Sequence, residues 1–325
     1  MYMYLAFQNV HEGCARPDKL GVQAPRATVE LYNTTVLDTY KIMGAMITEL
    51  DAGVGAVIDA LRAAGMYEDT LVVLVSDNGG PLEHSTNAPL RGGKHTFFDG
   101  GLRVEAFLAG GAIPAALAGT AWDGLAHASD WYLTLVEGWA GVAVDPATTG
   151  GPRPLDGFNL WPAILGGLPS PRTEVVHQVN NSYFDEGASA IRVGDMKLIR
   201  GLAGDNRTIA WPERAAKPVP LGRSGAVVEP GTDHVRGTVL GGSVVHHCRP
   251  FCLYNITADE GESHDLAADG AFAALAASLI ARLDFHGATG PPPAYIWPNI
   301  SDFQRAVQAA CPREVETGSV QPVDI

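Results

Sequence analysis

The chain reads as an α/β fold: a mixed, mainly parallel sheet flanked by helices over residues 1–172, then a smaller antiparallel α+β subdomain over 173–325. Three observations predict it. Leu71 to Val75 is an apolar, largely β-branched run without alternation, the pattern of a strand covered on both faces. A long stretch of apolar positions spaced by three and four precedes it, as a crossover helix would. Beyond Arg172 the pattern shifts to short strand-like segments, a hairpin signal and one amphipathic helix.

Taken in order, Tyr2 to Phe7 is expected as a strand already under way, with Gln8 to Glu12 at its C-terminal end. MYMYLAFQNV has no basic region, no apolar stretch of leader length and no cleavage site, so it does not read as a signal peptide. A start inside a strand predicts that the N-terminal portion of the domain is missing, as in a fragment or a truncated gene product. From Val29 to Ala64 the spacing of Met43, Met46, Ile47, Leu50, Val54, Val57, Ile58 and Leu61 predicts helix. Gly53 and Gly55 weaken its middle, so two helices or a kink are expected there. Gly65 suits the C-cap. Strand, helix and strand then form a right-handed βαβ unit.

After Leu71–Val75 come a polar loop, a strand from about Arg103 to Leu108, and a helix from Ser129 to Trp139 with Asp130 in its first turn. PLDGFNLWPAIL is a loop leading into a short helix. Glu174 to Val179 is a strand, and Gly194-Asp195 marks a two-residue hairpin between Ala190–Val193 and Lys197–Ile199. Residues 201–245 read as long loops and Cys252 to Ile256 as a strand. Asp269 opens a helix with Phe272, Leu275, Leu279 and Leu283 on one face. The tail from Pro291 onward is loop-like.

Composition narrows the function. A net charge of −14 argues against nucleic acid as a partner. No uninterrupted apolar run reaches membrane-spanning length, so no span is expected. Five of the ten asparagines, Asn33, Asn180, Asn206, Asn255 and Asn299, open Asn-x-Ser/Thr sequons, where chance gives roughly one. That favours a secreted, lysosomal or cell-surface location. Cys14, Cys248, Cys252 and Cys311 allow two disulfides or none. His246, His247, Cys248 and Cys252 have zinc-type chemistry but lack a second ligand pair at finger spacing, so disulfide use is favoured.

Chemistry concentrates where the apolar strand ends. Asp77 and Asn78 offer hard oxygen donors of the kind Ca²⁺ or Mg²⁺ takes, at the strand end where open α/β sheets hold ligands. Gly79 and Gly80 let the backbone turn beside them. Lys94 follows on a glycine-flanked loop. His11, at the tip of the expected first strand, belongs on the same rim. Arg91 and Arg103 read as loop or ion-pair residues, and His84 and His95 as solvent-facing ones.

YLAFQNVHE, LVVLVSDNGG, PLRGGKHTFFDGGLR, HASDWYLTLVE, PLDGFNLWPAI and CLYNITADEGESHDL occur in this order along nearly the whole chain. Together they resemble the sulfatase family, in its arylsulfatase B-like, N-acetylgalactosamine-4-sulfatase branch. The resemblance implies an alkaline phosphatase-like fold, sulfate-ester hydrolysis on a sugar or aryl substrate, and one bound Ca²⁺. It makes Asp77 and Asn78 metal ligands, His11 the proton donor to the leaving oxygen, and Lys94 a contact to the sulfate.

The departures are as specific. The family's nucleophile is a formylglycine formed from the cysteine of a C-x-P-S-R motif, and that motif does not occur in this sequence. Cys14-Ala15-Arg16-Pro17 has the wrong order and position. The upstream Asp pair that completes the metal site is also absent. The resemblance therefore implies that formylglycine and the remaining ligands belong to a missing N-terminal segment. Two other readings stay open: a catalytically silent secreted binding module, and a phosphodiesterase or phosphonate hydrolase of the same superfamily.

Overall fold

The structure, a computed structural model, describes residues 1–11, 22–32, 38–82, 85–145, 155–181, 188–205, 227–228, 234–236 and 245–289. Glu12, Cys14, Asn33, His84, Asn206, Asn299, Cys311 and the tail beyond 289 lie outside the described residues.

In chain order, β1 (Gln23–Pro25) and α1 (Arg26–Glu30) lead to the long helix α2 (Asp38–Ala63). The first half of α2 buries Ile42, Met43, Ala45 and Met46 against Val22 and Ala24, with Val10, Val29 and Tyr32 alongside. The expected break does not occur: α2 runs unbroken through Gly53 and Gly55. A Cβ at Gly53 would stand 3.0 Å from the Phe7 ring, so this glycine admits a close approach that offsets its weak helix propensity. The helix ends as expected at Gly65, which has φ 65°. Gly65 N–H donates to Arg62 O and Met66 N–H to Leu61 O, the paired bonds of a Schellman cap.

Strand β2 (Val72–Val75) departs from the sequence reading in its partner. It pairs antiparallel with β3 (Ala106–Ala109), from Val72 opposite Ala109 to Val75 opposite Ala106. Tyr2 to Phe7 forms no strand, and Tyr2 and Tyr4 are 83% and 81% exposed. The expected parallel βαβ unit is therefore not formed among the described residues, and every strand pair there is antiparallel. An unalternating apolar run encodes cover on both faces but does not specify which segment provides it. Val72, Val73 and Leu74 are half-buried and Val75 is exposed.

Between β2 and β3 lies the short helix α3 (Asp99–Leu102). The expected helix from Ser129 is α4 (Asp130–Leu133), which widens into a π-helical turn over Thr134–Trp139. Asp130 lies in the first turn as expected, and it is buried and accepts from Arg172 Nε at 2.7 Å. It also accepts from the backbone of His127 and Phe158, and Arg172 donates to the Asp156 carbonyl. One ion pair thus ties three loops to the start of the C-terminal sheet. The short helix α5 (Trp161–Gly166) follows and ends on Gly167 in the left-handed region.

The C-terminal sheet has the order β4 (Glu174–Asn181), β5 (Ala188–Val193), β6 (Met196–Asp205) and β9 (Val245–Asn255), all antiparallel. The hairpin at Gly194-Asp195 forms as expected, with Gly194 at φ 54°. Part of 201–245, expected as loop, instead extends β6 and β9 and supplies β7 (Val227–Val228) and β8 (His234–Arg236), which join β1 in a small second sheet. Strand alternation sorts the main sheet into two faces. Ile191, Leu198 and Leu253 meet Ala276, Leu279 and Leu283 of α6 (Ala273–Thr289). Each buried leucine contributes roughly 1.5–3 kcal/mol. Ala190, Ile199, Cys252 and Tyr254 face the other way and enclose Phe98, which lies just before α3. Side chains from before and after residue 172 thus share one core.

Helix α6 and the turn before it (Gly270–Thr289) are long and apolar enough to cross a membrane by length and composition. Here α6 is a sheet-packing helix: Ala276, Leu279 and Leu283 are buried, and Arg282 and His286 pair with Glu174 on β4.

Candidate active site

At the end of β2 the chain turns through Ser76-Asp77-Asn78-Gly79-Gly80. Ser76 Oγ donates to the Asn78 carbonyl, Asn78 N–H donates to Asp77 Oδ1, and Asn78 Nδ2 donates to the Gly79 carbonyl. Gly79 N–H donates to Gly101 O. A Cβ at Gly79 would stand 1.7 Å from Gly100 O, so only glycine fits. Asp77 is exposed and Asn78 half-buried. Among the described residues, Asp77 Oδ2 and Asn78 Oδ1 take no hydrogen bond. A carboxylate oxygen and a carboxamide oxygen, side by side on a braced turn, are the donors a hard divalent cation requires, and they supply part of its six to eight ligands.

The loop carrying Lys94 is braced from three directions. Asn87 spans it, accepting from Gly80 N–H and donating to the carbonyls of Gly80 and Gly92. Lys94 N–H donates to Gly80 O at 3.2 Å, which brings Lys94 beside the Asp77-Asn78 turn. Lys94 Nζ lies 3.3 Å from His11 Nε2. Two residues 83 positions apart, singled out from sequence, therefore meet. His11 is held by its own backbone bond to Gln8 O, and the neighbouring Asn9 side chain donates to Met46 O on α2.

The third brace was not read from the sequence. Asp99, two turns of chain after Lys94, is buried and pairs with Lys197 Nζ at 2.7 Å. Lys197 is fully buried on β6 and also pairs with Glu262 Oε1 at 2.7 Å. Asp99 N–H donates to Glu262 Oε2 at 2.6 Å. Arg91 covers the Phe98 ring at 4.3 Å and donates to the Glu262 carbonyl, the loop-holding role weighed for it above. Burial pushes the Asp99 carboxyl up, but the charge and hydrogen bond of Lys197 overcome that push and hold it below its ordinary value. Burial raises Glu262, and Lys197 offsets only part. Burial and the Lys197 charge drive His177 of β4 down to about 3, so its ring is neutral at physiological pH. Burial also pushes Tyr254 up to about 12.

A signal for this cluster exists. In Met196-Lys197-Leu198-Ile199, alternation places Lys197 on the face of Ile199, an inward position, and a buried lysine demands carboxylates. Arg103, by contrast, pairs with Glu260 at the surface. His95 is exposed, with φ 70°.

Strand-end oxygens beside a cationic loop, with an antiparallel sheet behind them, make up a mixed α/β arrangement. Residues 1–142 match the family model described as Sulfatase. Mouse (Mus musculus) arylsulfatase J is 29% identical over 91% of this chain and 46% of its own length. Human (Homo sapiens) arylsulfatase A is 34% identical over 69% of this chain and 38% of its own. The solved structure titled Ps i-CgsB in complex with k-i-k-neocarrahexaose superposes with a TM-score of 0.61 at 21% identity, covering 89% of this chain and 52% of that one. Residues 1–142 thus match the sulfatase family, which uses a divalent metal, and the chain spans less than half the length of these two relatives.

Proposed function

We propose that this chain carries the sulfate-holding and proton-donating part of a sulfuric ester hydrolase acting on sulfate esters of a sugar or aryl group. The observation that carries the reading is the approach of Lys94 Nζ to His11 Nε2 at 3.3 Å, on a loop hydrogen-bonded to the Asp77-Asn78 turn. With no substrate, the ammonium donates to the imidazole. A sulfuryl oxygen entering beside them accepts from Lys94, which stabilises the charge that spreads over that group as the ester bond breaks. His11, released from Lys94, takes a proton from solvent at Nε2 and passes it to the leaving oxygen. Asp77 and Asn78 would hold the divalent cation, Ca²⁺ in our reading, and the cation supplies Lewis-acid stabilisation of the sulfuryl oxygens when bound. The sequence has no C-x-P-S-R motif, so these residues bind and protonate but do not supply the nucleophile. The sequons support a secreted, lysosomal or cell-surface location.

The test is binding rather than turnover. The chain is titrated with Ca²⁺ and with an aryl sulfate while the His11 ring signals are followed by NMR. Lys94→Met should weaken aryl sulfate binding about tenfold or more, as loss of a charge-assisted contact does, and Asp77→Ala should abolish the Ca²⁺ response. Aryl sulfate binding untouched by either change would refute the reading.

A further inference from the structure

The junction of β6 and β9 carries chemistry that the sulfate site does not use. Gly201 faces Cys248 and Ile199 faces Cys252, so one residue of β6 opposes three of β9. Alternation puts both cysteines on the face that encloses Phe98, and this bulge draws them together. Their Cα atoms are 5.0 Å apart and their sulfurs are joined. His246 precedes Cys248 by two residues and so shares its face, and His246 Nε2 lies 3.5 Å from Cys252 Sγ. The candidate ligand atoms of His246, Cys248 and Cys252 all lie within 4.8 Å of one another.

We propose that, when a dithiol reduces the Cys248–Cys252 bond, the two sulfurs and His246 Nε2 form a three-ligand site for a thiophilic divalent cation of the zinc class. The disulfide takes two electrons and two protons from the dithiol, which leaves as its own cyclic disulfide. Metal binding then releases the two thiol protons. In a tetrahedral site with Zn–S about 2.3 Å and Zn–N about 2.0 Å, the S···N edge is about 3.5 Å and the S···S edge about 3.8 Å. The S···N edge is already present, and only the two sulfurs need to part. Ladder pairing on both sides of the bulge keeps the two thiols together after the bond opens.

Charge favours the assignment. Two thiolates, a neutral imidazole and a divalent cation sum to zero, which suits the buried setting of Cys248 and Cys252. His247 lies on the opposite face and is exposed, so the fourth position goes to water or an added ligand. Under oxidising conditions the same residues act only as a disulfide staple.

The test uses the full chain with Cys14→Ser and Cys311→Ser, reduced with dithiothreitol, freed of reductant under argon, and titrated with Co²⁺ and then Zn²⁺ alone. One Co²⁺ per chain is expected, with sulfur-to-cobalt charge transfer and the intense d–d bands of a tetrahedral ion, and Zn²⁺ should displace it. His246→Ala should weaken uptake by about tenfold or more, the scale on which perturbing a metal site acts. The oxidised chain, which needs no substitution at the site, should take up none. A reduced chain that takes up no Co²⁺, loses its circular dichroism spectrum, or binds equally well with His246→Ala overturns the assignment.

Discussion

Replacing Lys197 with methionine tests the brace behind the Lys94 loop. The side chain is fully buried, with its ammonium 2.7 Å from both Asp99 and Glu262. Methionine conserves the volume and removes the charge, leaving two buried carboxyls without their cation. Breaking a buried pair in this way costs about 3–5 kcal/mol, a large part of the roughly 5–15 kcal/mol that holds a domain.

The loss must also depend on pH. In the intact protein, burial pushes Asp99 up, but Lys197 overcomes this and holds it below the ordinary 3.8. Asp99 therefore contributes stability above that value, which is lost as pH falls through its depressed pKa. Burial raises Glu262 above 4.5. Its contribution is complete below 4.5 and is lost as pH rises through its raised pKa. Without Lys197 both carboxyls rise, and the variant folds best with both protonated. Urea unfolding followed by circular dichroism should show the full deficit near neutral pH, narrowing as pH falls through the carboxylate range. A loss below about 1 kcal/mol at neutral pH, or a deficit independent of pH, would show that the cluster is not the charged brace described.

Two other substitutions address neighbouring elements. Gly79→Ala places a methyl group against the Gly100 carbonyl, a backbone atom that cannot swing aside, so it should destabilise by more than the usual 1 kcal/mol or so of a glycine replacement and abolish Ca²⁺-induced chemical shifts at Asn78. Wild-type shifts in that variant would refute the close packing. Arg172→Leu leaves Asp130 buried without its cation and should cost about 3–5 kcal/mol in urea unfolding; a loss within 0.5 kcal/mol or so, typical of surface positions, would contradict the burial of that pair.

Local pattern was enough for several elements. The spacing in α2, the cap at Gly65 and the hairpin at Gly194 depend on residues a few positions apart and form as read, as do Leu279 and Leu283 on the α6 face, whereas Leu275 is exposed and Ala276 is buried there instead. At the strand end, His11, Asp77, Asn78 and Lys94 stand out in the sequence by their chemistry and by the ordered motifs around them. The partner of β2 was not legible, because an apolar run specifies burial and not pairing. Asp130 lies in the first turn of its helix as read, but its partner was not legible, since a carboxylate there looks alike whether it faces water or Arg172.

By itself, then, the sequence determined the family likeness, the order of the motifs and the chemical groups gathered around the end of β2. Only the tertiary structure decided that Lys94 meets His11, that Lys197 lies between Asp99 and Glu262, and that a bulge draws Cys248 and Cys252 together. The reason is physical. Propensity and periodicity act within a few residues. A buried charge, by contrast, takes its partner from whatever the packed chain brings within 3 Å or so of it, at any separation in sequence.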